Sequence, residues 1–361
     1  MNYILNIFVV FKQIIFQILY IIFFYINKNK SRTILIIFTD CSNSYSNLLC
    51  LELELIRKNI PYKKTFNNKN LKNLFIISKS SIIFIDQSNY FLSYIKLYSF
   101  TKVIQCWHGG GLYKKVGFDN CESRNWSKIK RIYRNINFLN ISDNKLKQFY
   151  SNMFHIDLSY ILSFGLPRTD LLFQKNIILE KRKFYSLYPE LENKKICLYA
   201  PTFREKKGVR EQPKLMDIES VNKNIAKRGY VLIFRSHPTL KYQHDNVVNV
   251  SHLDLDFILT VSDILITDYS SILFDFSYFK RPIILYIPDL KEYQEYDRKL
   301  YLKPSSLVGE KNICYYEKDI IKVIEKASYD VDIWSLYMDN CKGSSSKALI
   351  NFALRLNEGK I

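Results

Sequence analysis

The sequence predicts an α/β protein built from two doubly wound, Rossmann-like domains that face each other across a cleft, with a hydrophobic helix at the N-terminus. Three observations support this fold class. The chain has 361 residues, more than one domain usually holds. Short apolar, β-branched runs alternate with helical segments in two successive series. Polar motifs stand where strands of both series end, and ligands bind at those ends in such sheets.

The first series contains the strands nearest the N-terminus. The run TILIIF at Thr33–Phe38 predicts a strand because it is short, apolar and rich in β-branched residues. Residues 48–58 have the spacing of an amphipathic helix. Further strands are expected at 74–77, 81–85 and 102–105.

The second series begins with a strand at 196–199, which ends just before a proline. Strands are then expected at Tyr230–Phe234, Ile264–Thr267 and Ile283–Tyr286, with helical segments between them. The alternation predicts a second parallel sheet.

These series define the predicted domains. Residues 1–30 form the hydrophobic helix, 31–180 an N-terminal domain and 181–343 a C-terminal domain. Residues 344–361 are expected to form a last helix that packs back on the first domain.

The N-terminal segment 3–26 is almost entirely apolar, with Lys12 as its one charged residue. At about 1.5 Å per residue it is long enough to cross a bilayer core of about 30 Å. Its polar interruptions fit a helix lying in the interface equally well, and a buried first helix is a third interpretation. Basic residues follow the segment, so the rest of the chain is expected at the cytoplasmic face of the cell membrane. These residues are Lys28, Lys30 and Arg32.

The charge balance favours anionic partners. Lys and Arg number 53 against 34 Asp and Glu, a net charge of +19, which suits an anionic membrane surface, a nucleotide or an acidic polymer. No helix-turn-helix, zinc finger or aromatic RNA-binding signature is present, so no nucleic-acid partner is expected.

No metal site or disulfide framework is expected. The seven cysteines are scattered and form no CxxC pair. The DxD-like triplet at 254–256 precedes an apolar helix, where acidic residues favour the helix N-terminus.

The first motif that suggests a chemical function places His108 after a predicted strand and before three glycines. Gly109 and Gly110 let the backbone approach a ligand closely, and a histidine in such a loop suits a general base. The alternative interpretation is an imidazole packed beside Trp107 in a turn.

The next two motifs each follow a strand of the second series. Thr202 and Arg204 come after the first, and Arg235, Ser236 and His237 after the next. Arginine grips phosphate oxygens in a bidentate way and histidine donates a hydrogen bond, so these positions fit a phosphate-bearing ligand.

The fourth motif runs from a strand through Asp268, Ser270 and Ser271 into a helix. Hydroxyls and free N–H groups at a helix N-terminus form an anion site, although helix capping explains the same residues. Asp275, on the first turns of that helix, is placed to accept hydrogen bonds from a ribose or a glycerol.

Taken in order, these segments resemble the CDP-glycerol and CDP-ribitol polyol-phosphate transferase family. Its members carry Trp-His-Gly, Gly-x-Pro-Arg-x-Asp, Ala-Pro-Thr, Arg-x-His-Pro and Ser-Asp-x-x-x-Thr-Asp-Tyr-Ser-Ser. Here Gly165-Leu166-Pro167-Arg168-Thr169-Asp170 supplies the second motif. The likeness covers about residues 102–303.

The resemblance implies a GT-B-like transferase that needs neither a metal nor another cofactor. It places the acceptor, a membrane-linked surface polymer or its lipid-linked precursor, on the first domain and a CDP-activated donor such as CDP-glycerol on the second. The acceptor hydroxyl attacks the β-phosphorus and CMP leaves. His108 corresponds to the base, and Arg235 and His237 to residues that steady the diphosphate. The donor site would contain Thr202, Arg204, Ser236, Asp268, Ser270, Ser271 and Asp275. The acceptor side would contain Gly109, Gly110, Lys114, Lys115 and Arg168.

One departure concerns the acceptor: the family usually has Thr-Pro or a similar pair where this chain has Gly110 and Gly111. Two other functions stay open on the sequence alone. One is a GT-B glycosyltransferase that uses a nucleotide sugar for capsule or lipopolysaccharide synthesis. The other is a noncatalytic, basic, polyanion-binding membrane protein.

Overall fold

The fold is taken from a computed structural model, which describes residues 2–27, 33–39, 45–120, 126–206, 209–236 and 247–360. Its strands are β1 (Thr33–Phe38), β2 (Tyr62–Phe66), β3 (Ser80–Ile85), β4 (Lys102–Gln105), β5 (Ile136–Asn140), β6 (Ile161–Leu162), β7 (Lys195–Ala200), β8 (Arg204–Lys206), β9 (Val209–Glu211), β10 (Tyr230–Phe234), β11 (Val248–Asn249), β12 (Ile264–Thr267), β13 (Ile283–Tyr286) and β14 (Ile313–Cys314).

The α-helices are α1 (Asn2–Asn27), α2 (Asn47–Arg57), α3 (Leu71–Lys79), α4 (Trp126–Tyr133), α5 (Lys147–Phe154), α6 (Asp170–Phe173), α7 (Ile177–Leu187), α8 (Ile218–Ala226), α9 (Leu255–Val261), α10 (Ile272–Phe276), α11 (Leu290–Glu292), α12 (Pro304–Val308), α13 (Ile320–Lys326), α14 (Ile333–Tyr337) and α15 (Ser345–Asn357). Short 3-10 turns include Leu92–Tyr94 and Pro167–Thr169, and Tyr293–Asp297 forms a single π-helical turn.

The chain divides into two compact units. The first comprises Met1–His108, Gly117–Asp170 and Asn340–Ile361, and the second comprises Gly109–Val116 and Leu171–Asp339. The boundary predicted after residue 180 lies within α7. In the structure α7 packs with the rest of the second unit. Lys175, just before α7, forms an ion pair with Asp256 of α9 at 2.8 Å, and Lys181 of α7 forms one with Asp263, just after α9, at 2.6 Å.

The first unit contains a parallel sheet of six strands in the order β2-β1-β3-β4-β5-β6. Its central strands are continuous apolar runs because helices cover both faces. One face packs against α2 and α15, the other against α1 and α3. Side chains of β1 alternate between the two cores: Ile34 and Ile36 enter the first, Leu35 and Ile37 the second.

The strand predicted at 74–77 is wrong, since this segment belongs to α3. The Asn70 side chain accepts the Asn73 N–H at 2.8 Å and begins a helix there. Leu74 and Ile77, three residues apart, are buried on one face of it. The second strand of the sheet is instead Tyr62–Phe66, an edge strand whose polar residues hide its signal.

The second unit contains another parallel sheet of six strands, in the order β11-β10-β7-β12-β13-β14. The four strands predicted for this region are confirmed. From β7 the chain adds β10 and β11 on one side of that strand, and it later adds β12, β13 and β14 on the other side. The switch point, where ligands bind in open α/β sheets, therefore lies between the carboxyl ends of β7 and β12.

Candidate active site

The loop after β4 presents His108 to solvent. Trp107 is buried, with a φ of +46° that is uncommon for a residue other than glycine. Its backbone N–H donates to Gln105 Oε1 at 3.0 Å, and its ring packs edge-on against Phe154. This left-handed turn keeps the indole inside the unit, while the next residue, His108, is exposed.

Two buried side chains hold this loop by three successive carbonyl groups. Asn47 Nδ2 donates to the carbonyls of Cys106, at 3.3 Å, and Trp107. Arg168 Nη1 donates to the carbonyl of His108 at 2.7 Å. The two holding residues are joined, because the Arg168 backbone N–H donates to Asn47 Oδ1 at 3.0 Å. We call Asn47 and Arg168 the loop clamp.

A buried carboxyl group lies beside the clamp. Asp86 follows β3, and burial raises its pKa to about 6, against the opposing effect of the Arg168 charge. The arginine also lies over the ring of Tyr45, 5.7 Å from its centroid. The Arg168 guanidinium thus has an acidic group and an aromatic ring near it inside the unit, while it donates to backbone.

The Gly-x-Pro-Arg-x-Asp loop is fixed by the C-terminal helix. Asp170 accepts the N–H groups of Ser345 and Ser346, at 2.9 and 2.8 Å, at the start of α15. Gly165 has a φ of +81°, and a Cβ there would lie 2.5 Å from the Asn340 carbonyl oxygen. The motif therefore joins α15 to the loop clamp within the first unit.

The glycines after His108 belong by their contacts to the second unit. A Cβ at Gly111 would lie 2.1 Å from the Phe274 ring, and its φ is +58°. Gly110 is also tight, since a Cβ there would lie 3.0 Å from Met338 Sδ and 3.2 Å from Phe274 Cβ. The Gly110-Gly111 pair that departs from the family pattern thus accommodates Phe274.

Lys114 and Lys115, predicted on the acceptor side, also lie in the second unit, as do Gly109 and Gly110. Lys114 forms a β-bridge with Leu300, and the Lys115 N–H donates to the Lys299 carbonyl at 2.9 Å.

The Lys114 ammonium group is in an unusual environment. Burial and then Arg298 lower its pKa to about 8, and Asp268 and Asp297 oppose the shift. Both carboxylates are engaged elsewhere: Asp268 with Arg204, and Asp297 with the Glu205 N–H. Among the described residues, no carboxylate forms an ion pair with Lys114.

The switch point of the second unit is bridged by Asp268. This carboxylate accepts the Thr202 N–H at 3.0 Å, the Thr202 hydroxyl at 2.8 Å and Arg204 Nη1 at 2.8 Å. Arg204 Nε also donates to Asp289 at 2.7 Å, and the guanidinium lies over the Tyr269 ring. Burial lowers the pKa of Arg204, but the two carboxylates outweigh it and the net shift is upward. We call Asp268, Arg204 and Asp289 the switch-point brace.

The residues after β10 are partly engaged with backbone. Arg235 Nη1 donates to the carbonyls of Val250, at 3.1 Å, and Leu253, at 2.7 Å, and burial lowers its pKa. The Ser236 N–H donates to Ser251 Oγ at 2.9 Å. The predicted catalytic residue His237 lies outside the described residues.

Ser270 and Ser271 lie half-buried directly before α10, a helix of five residues. Ser270 Oγ accepts the Ile272 N–H at 3.3 Å. Asp275 is 3% exposed, so its carboxyl group is buried within the second unit. In the described parts of the chain, no three His, Cys, Asp or Glu side chains are grouped to hold a metal ion.

The structure thus brings Thr202, Arg204 and Asp268 together, and it brings Arg168 to His108. Sequence reasoning missed the roles of Asn47, Asp86 and Asp289. The two aspartates had a usable signal, because each follows a buried strand closely. Asn47 had none: it ends a polar loop, and its partner Arg168 is 121 residues away.

Comparison with known proteins identifies the family. The family model described as CDP-glycerol:poly(glycerophosphate) glycerophosphotransferase matches residues 10–335. The teichoic acid glycerol-phosphate primase of Bacillus subtilis is 32% identical over 301 residues, covering 78% of this chain and 75% of the relative. The teichoic acid ribitol-phosphate polymerase TarK of Staphylococcus aureus is 26% identical over 377 residues, covering 95% of this chain and 72% of the relative.

A solved structure confirms the fold. The wall teichoic acid polymerase TagF superposes with a TM-score of 0.75 at 20% identity, over 91% of this chain and 90% of the other. The predicted GT-B-like fold is confirmed by this likeness and by the two parallel sheets. Because the family model spans most of the chain, the protein belongs to the CDP-glycerol:poly(glycerophosphate) glycerophosphotransferase family of transferases.

Proposed function

We propose that this protein transfers glycerol phosphate, or a related polyol phosphate, from a CDP-activated donor to a hydroxyl group of a teichoic acid polymer or its lipid-linked precursor. The observation that carries the proposal is the exposed imidazole of His108 on a backbone held at three carbonyls by buried side chains. A general base has to be accessible and fixed in place, and this loop meets both requirements.

In the proposed reaction, His108 accepts the proton of the acceptor hydroxyl. The acceptor oxygen forms a bond to the β-phosphorus of the donor, and the bond from that phosphorus to the oxygen shared with the α-phosphate breaks. CMP leaves with that oxygen. Phosphoryl transfer depends mainly on in-line positioning and on neutralising oxygen charge, so a fixed base and nearby cations are the parts the chain must supply.

The donor site is proposed at the carboxyl ends of β7, β10 and β12. Arg235 and His237 would neutralise the diphosphate, and Thr202, Ser236, Ser270 and Ser271 would supply hydrogen bonds. Arg204 and Asp268 serve this site as a brace, because both are already paired.

Lys114 is proposed as a further donor-side cation. It belongs to the second unit, it is half-buried, and the neighbouring carboxylates are bound to other donors. Burial lowers the pKa of its ammonium group. A phosphate group would supply the countercharge. With these cations provided by the chain, we propose that the reaction needs no metal ion or other cofactor.

The acceptor's position in a lipid-linked polymer places the reaction at the membrane. We propose that the protein works at the cytoplasmic face, where nucleotide-activated donors occur. We place Arg168 on the acceptor side, as the residue that fixes the His108 carbonyl.

The test is a donor screen that follows nucleotide release. Purified protein would be incubated with CDP-glycerol, CDP-ribitol and a panel of nucleotide sugars, with a teichoic acid primer as acceptor. CMP release and primer extension with a CDP-polyol are expected. Release from a nucleotide sugar alone would replace the proposal with a glycosyltransferase, and salt-dependent polyanion binding without turnover would indicate a binding module.

A further inference from the structure

We propose that Asp86 is a positioning residue for the transfer, whose buried carboxylate supports both members of the loop clamp and, through them, the backbone that carries His108. The inference rests on the proposed function, in which His108 is the base. It assigns a role to a side chain that lies outside the five motifs through which the sequence resembles the family.

Asp86 lies at the switch point of the first sheet. From β1 the chain adds β2 on one side and then β3 on the other, so the carboxyl ends of β1 and β3 mark the place where the strand order reverses. Asp86 directly follows β3, and α2, which carries Asn47, follows β1. Switch points are the usual ligand sites of open α/β sheets, so polar groups at this position are expected to serve function.

The backbone on both sides of Asp86 is bonded to the start of the His108 loop. The Ile85 carbonyl accepts the Cys106 N–H at 2.7 Å, and the Gln87 carbonyl accepts Gln105 Nε2 at 3.2 Å. The same Gln105 side chain accepts the Trp107 N–H at 3.0 Å. Asp86 is thus fixed relative to the loop whose conformation it is proposed to support.

One member of the loop clamp, Asn47, is reached through the first turn of α2. The N–H of Leu48 faces the Asp86 carboxyl group and favours its ionised form. A carboxylate is stabilising at a helix N-terminus, where the N–H groups have no partner within the helix. Because Leu48 follows Asn47 directly, the carboxylate supports the helix end from which Asn47 holds the Cys106 and Trp107 carbonyls.

The other member, Arg168, is reached through its charge. Asp86 and Arg168 are each only 5% exposed, and the arginine charge favours the ionised carboxyl group. Charges attract each other more strongly in a protein interior than in water. The ionised carboxylate therefore helps to hold the guanidinium in the position from which it donates to the His108 carbonyl at 2.7 Å.

This support depends on the ionisation of Asp86. Burial raises the pKa of its carboxyl group to about 6, against Arg168 and the backbone N–H groups of Asp86 and Leu48. Among the described residues Arg168, in the turn 167–169, is the charged group that acts on it. Cys106, just after β4, is a titratable neighbour, and burial and then Asp86 raise the pKa of its thiol, which stays neutral. The carboxylate is lost as the pH falls through about 6.

The same ionisation distinguishes positioning from a purely structural role. A carboxyl group with a higher pKa in the folded chain than in the unfolded chain binds its proton more tightly when folded. Its contribution to stability is therefore present at low pH and is lost as the pH rises through about 6. Above that pH a neutral amide of the same size should not lower the unfolding midpoint, whereas replacing a residue that serves stability alone should lower it.

Steady-state kinetics at about pH 7.5 test the positioning role. Asp86→Asn should lower kcat by about tenfold, because a displaced base is poorly aligned with the acceptor hydroxyl, while the donor KM changes by less than about twofold. The unfolding midpoint should not fall. Unchanged kcat, or a loss of kcat together with a lower midpoint, would overturn the proposal.

Asp263→Asn is the matched control in the second unit. Its carboxylate also accepts a backbone N–H, that of Ile196 at 2.9 Å, and it forms an ion pair with Lys181. Removing this charge should leave kcat unchanged. An equal loss of kcat in Asp263→Asn and Asp86→Asn would show a general effect of removing a carboxylate and would also overturn the proposal.

A second experiment follows the loop without the reaction. The fluorescence of Trp107 would be titrated with acid in a Trp126→Phe/Trp334→Phe variant, which leaves it as the one tryptophan of the chain. His108→Ala is added so that the imidazole beside the Trp107 ring contributes nothing to the signal. A transition with a midpoint at about pH 6 is expected, and Asp86→Asn in the same background should abolish it.

The two experiments separate this inference from the proposed function. A transition that Asp86→Asn abolishes, in a protein that releases CMP from no CDP-activated donor, would contradict the proposed function and support the link between Asp86 and the loop. A transition that persists in Asp86→Asn, or that is absent when Asp86 is present, would overturn the positioning role in an active transferase as well.

Discussion

The loop that carries His108 and the switch point of the second unit both follow buried parallel strands, yet they use their charged groups in opposite ways. In the first, the titratable side chain is exposed while Asn47 and Arg168 hold its backbone from the interior. In the second, Arg204 and Asp268 are buried and bound to each other. A polar motif at a strand end can therefore expose a titratable side chain or bury its charges as a support, and burial distinguishes the two.

The comparison predicts the largest activity loss at His108. His108→Ala should lower kcat by about 10²- to 10⁴-fold, the usual contribution of a general base. The side chain is exposed and contacts the Trp107 ring at 4.4 Å between centroids, so its removal should cost little stability. The measurement is CMP release from CDP-glycerol, together with the thermal unfolding midpoint. His155→Asn, which alters an exposed histidine with a φ of +50°, is the matched control and should retain activity. Full activity of His108→Ala would remove the proposed base.

The largest stability loss is expected in the switch-point brace. Arg204→Ala leaves two carboxylates without their cation, and removing one partner of a buried pair costs about 3–5 kcal/mol in the free energy of unfolding. Chemical denaturation would measure the change. Arg228→Ala breaks an exposed ion pair with Glu325 and should cost less than ~1 kcal/mol. Similar losses for the two variants would mean that Arg204 is not a brace.

The loop clamp is predicted to act on the rate more than on binding. Asn47→Ala frees the Cys106 and Trp107 carbonyls, and a displaced base should lower kcat by about 10- to 100-fold while the donor KM changes little. Steady-state kinetics below the unfolding transition would separate the two constants. Asn70→Ala, which removes the N-terminal cap of α3, is expected to cost about 1 kcal/mol of stability with no change in kcat. Proportional changes in kcat and stability for both variants would point to a purely structural role.

The smallest effect concerns the charge of Lys114. Its lowered pKa means that the ammonium form, present at pH 7, is lost as the pH rises through about 8. The kcat/KM for the donor should therefore fall by about tenfold between pH 7 and pH 9, since kcat/KM follows ionisations of the free enzyme. Lys114→Gln should remove this fall, whereas Lys115→Gln should keep it. An unchanged pH profile in Lys114→Gln would exclude Lys114 from the donor site.

Much of the second unit was predictable because its strands are buried on both faces. The runs at β7, β10, β12 and β13 are apolar along their length, so composition alone identifies them. The edge strand β2, with the sequence YKKTF, was not predicted because one side of it faces solvent. The prediction at 74–77 was wrong because a short apolar run fits a strand and a buried helix face equally well.

For the candidate site, the motifs pointed to residues, and only the structure shows how their side chains are engaged. The motifs pointed to His108, Arg168, Thr202 and Asp268 as candidate residues. The order of these motifs along the chain indicated the family. Nothing local distinguishes Arg204, which is paired twice, from a cation that is available to a ligand. Asp86 illustrates the same limit, because its raised pKa arises from burial that only packing creates.

By itself the sequence determined the two α/β series, the positions of the polar motifs after strands and the membership in a transferase family, because these depend on residue type and local order. Tertiary structure decided which charged groups are paired, which backbone carbonyls are held and which face of α1 is exposed. These properties depend on contacts between residues far apart in the chain, such as Asn47 with Arg168, and no local pattern encodes them.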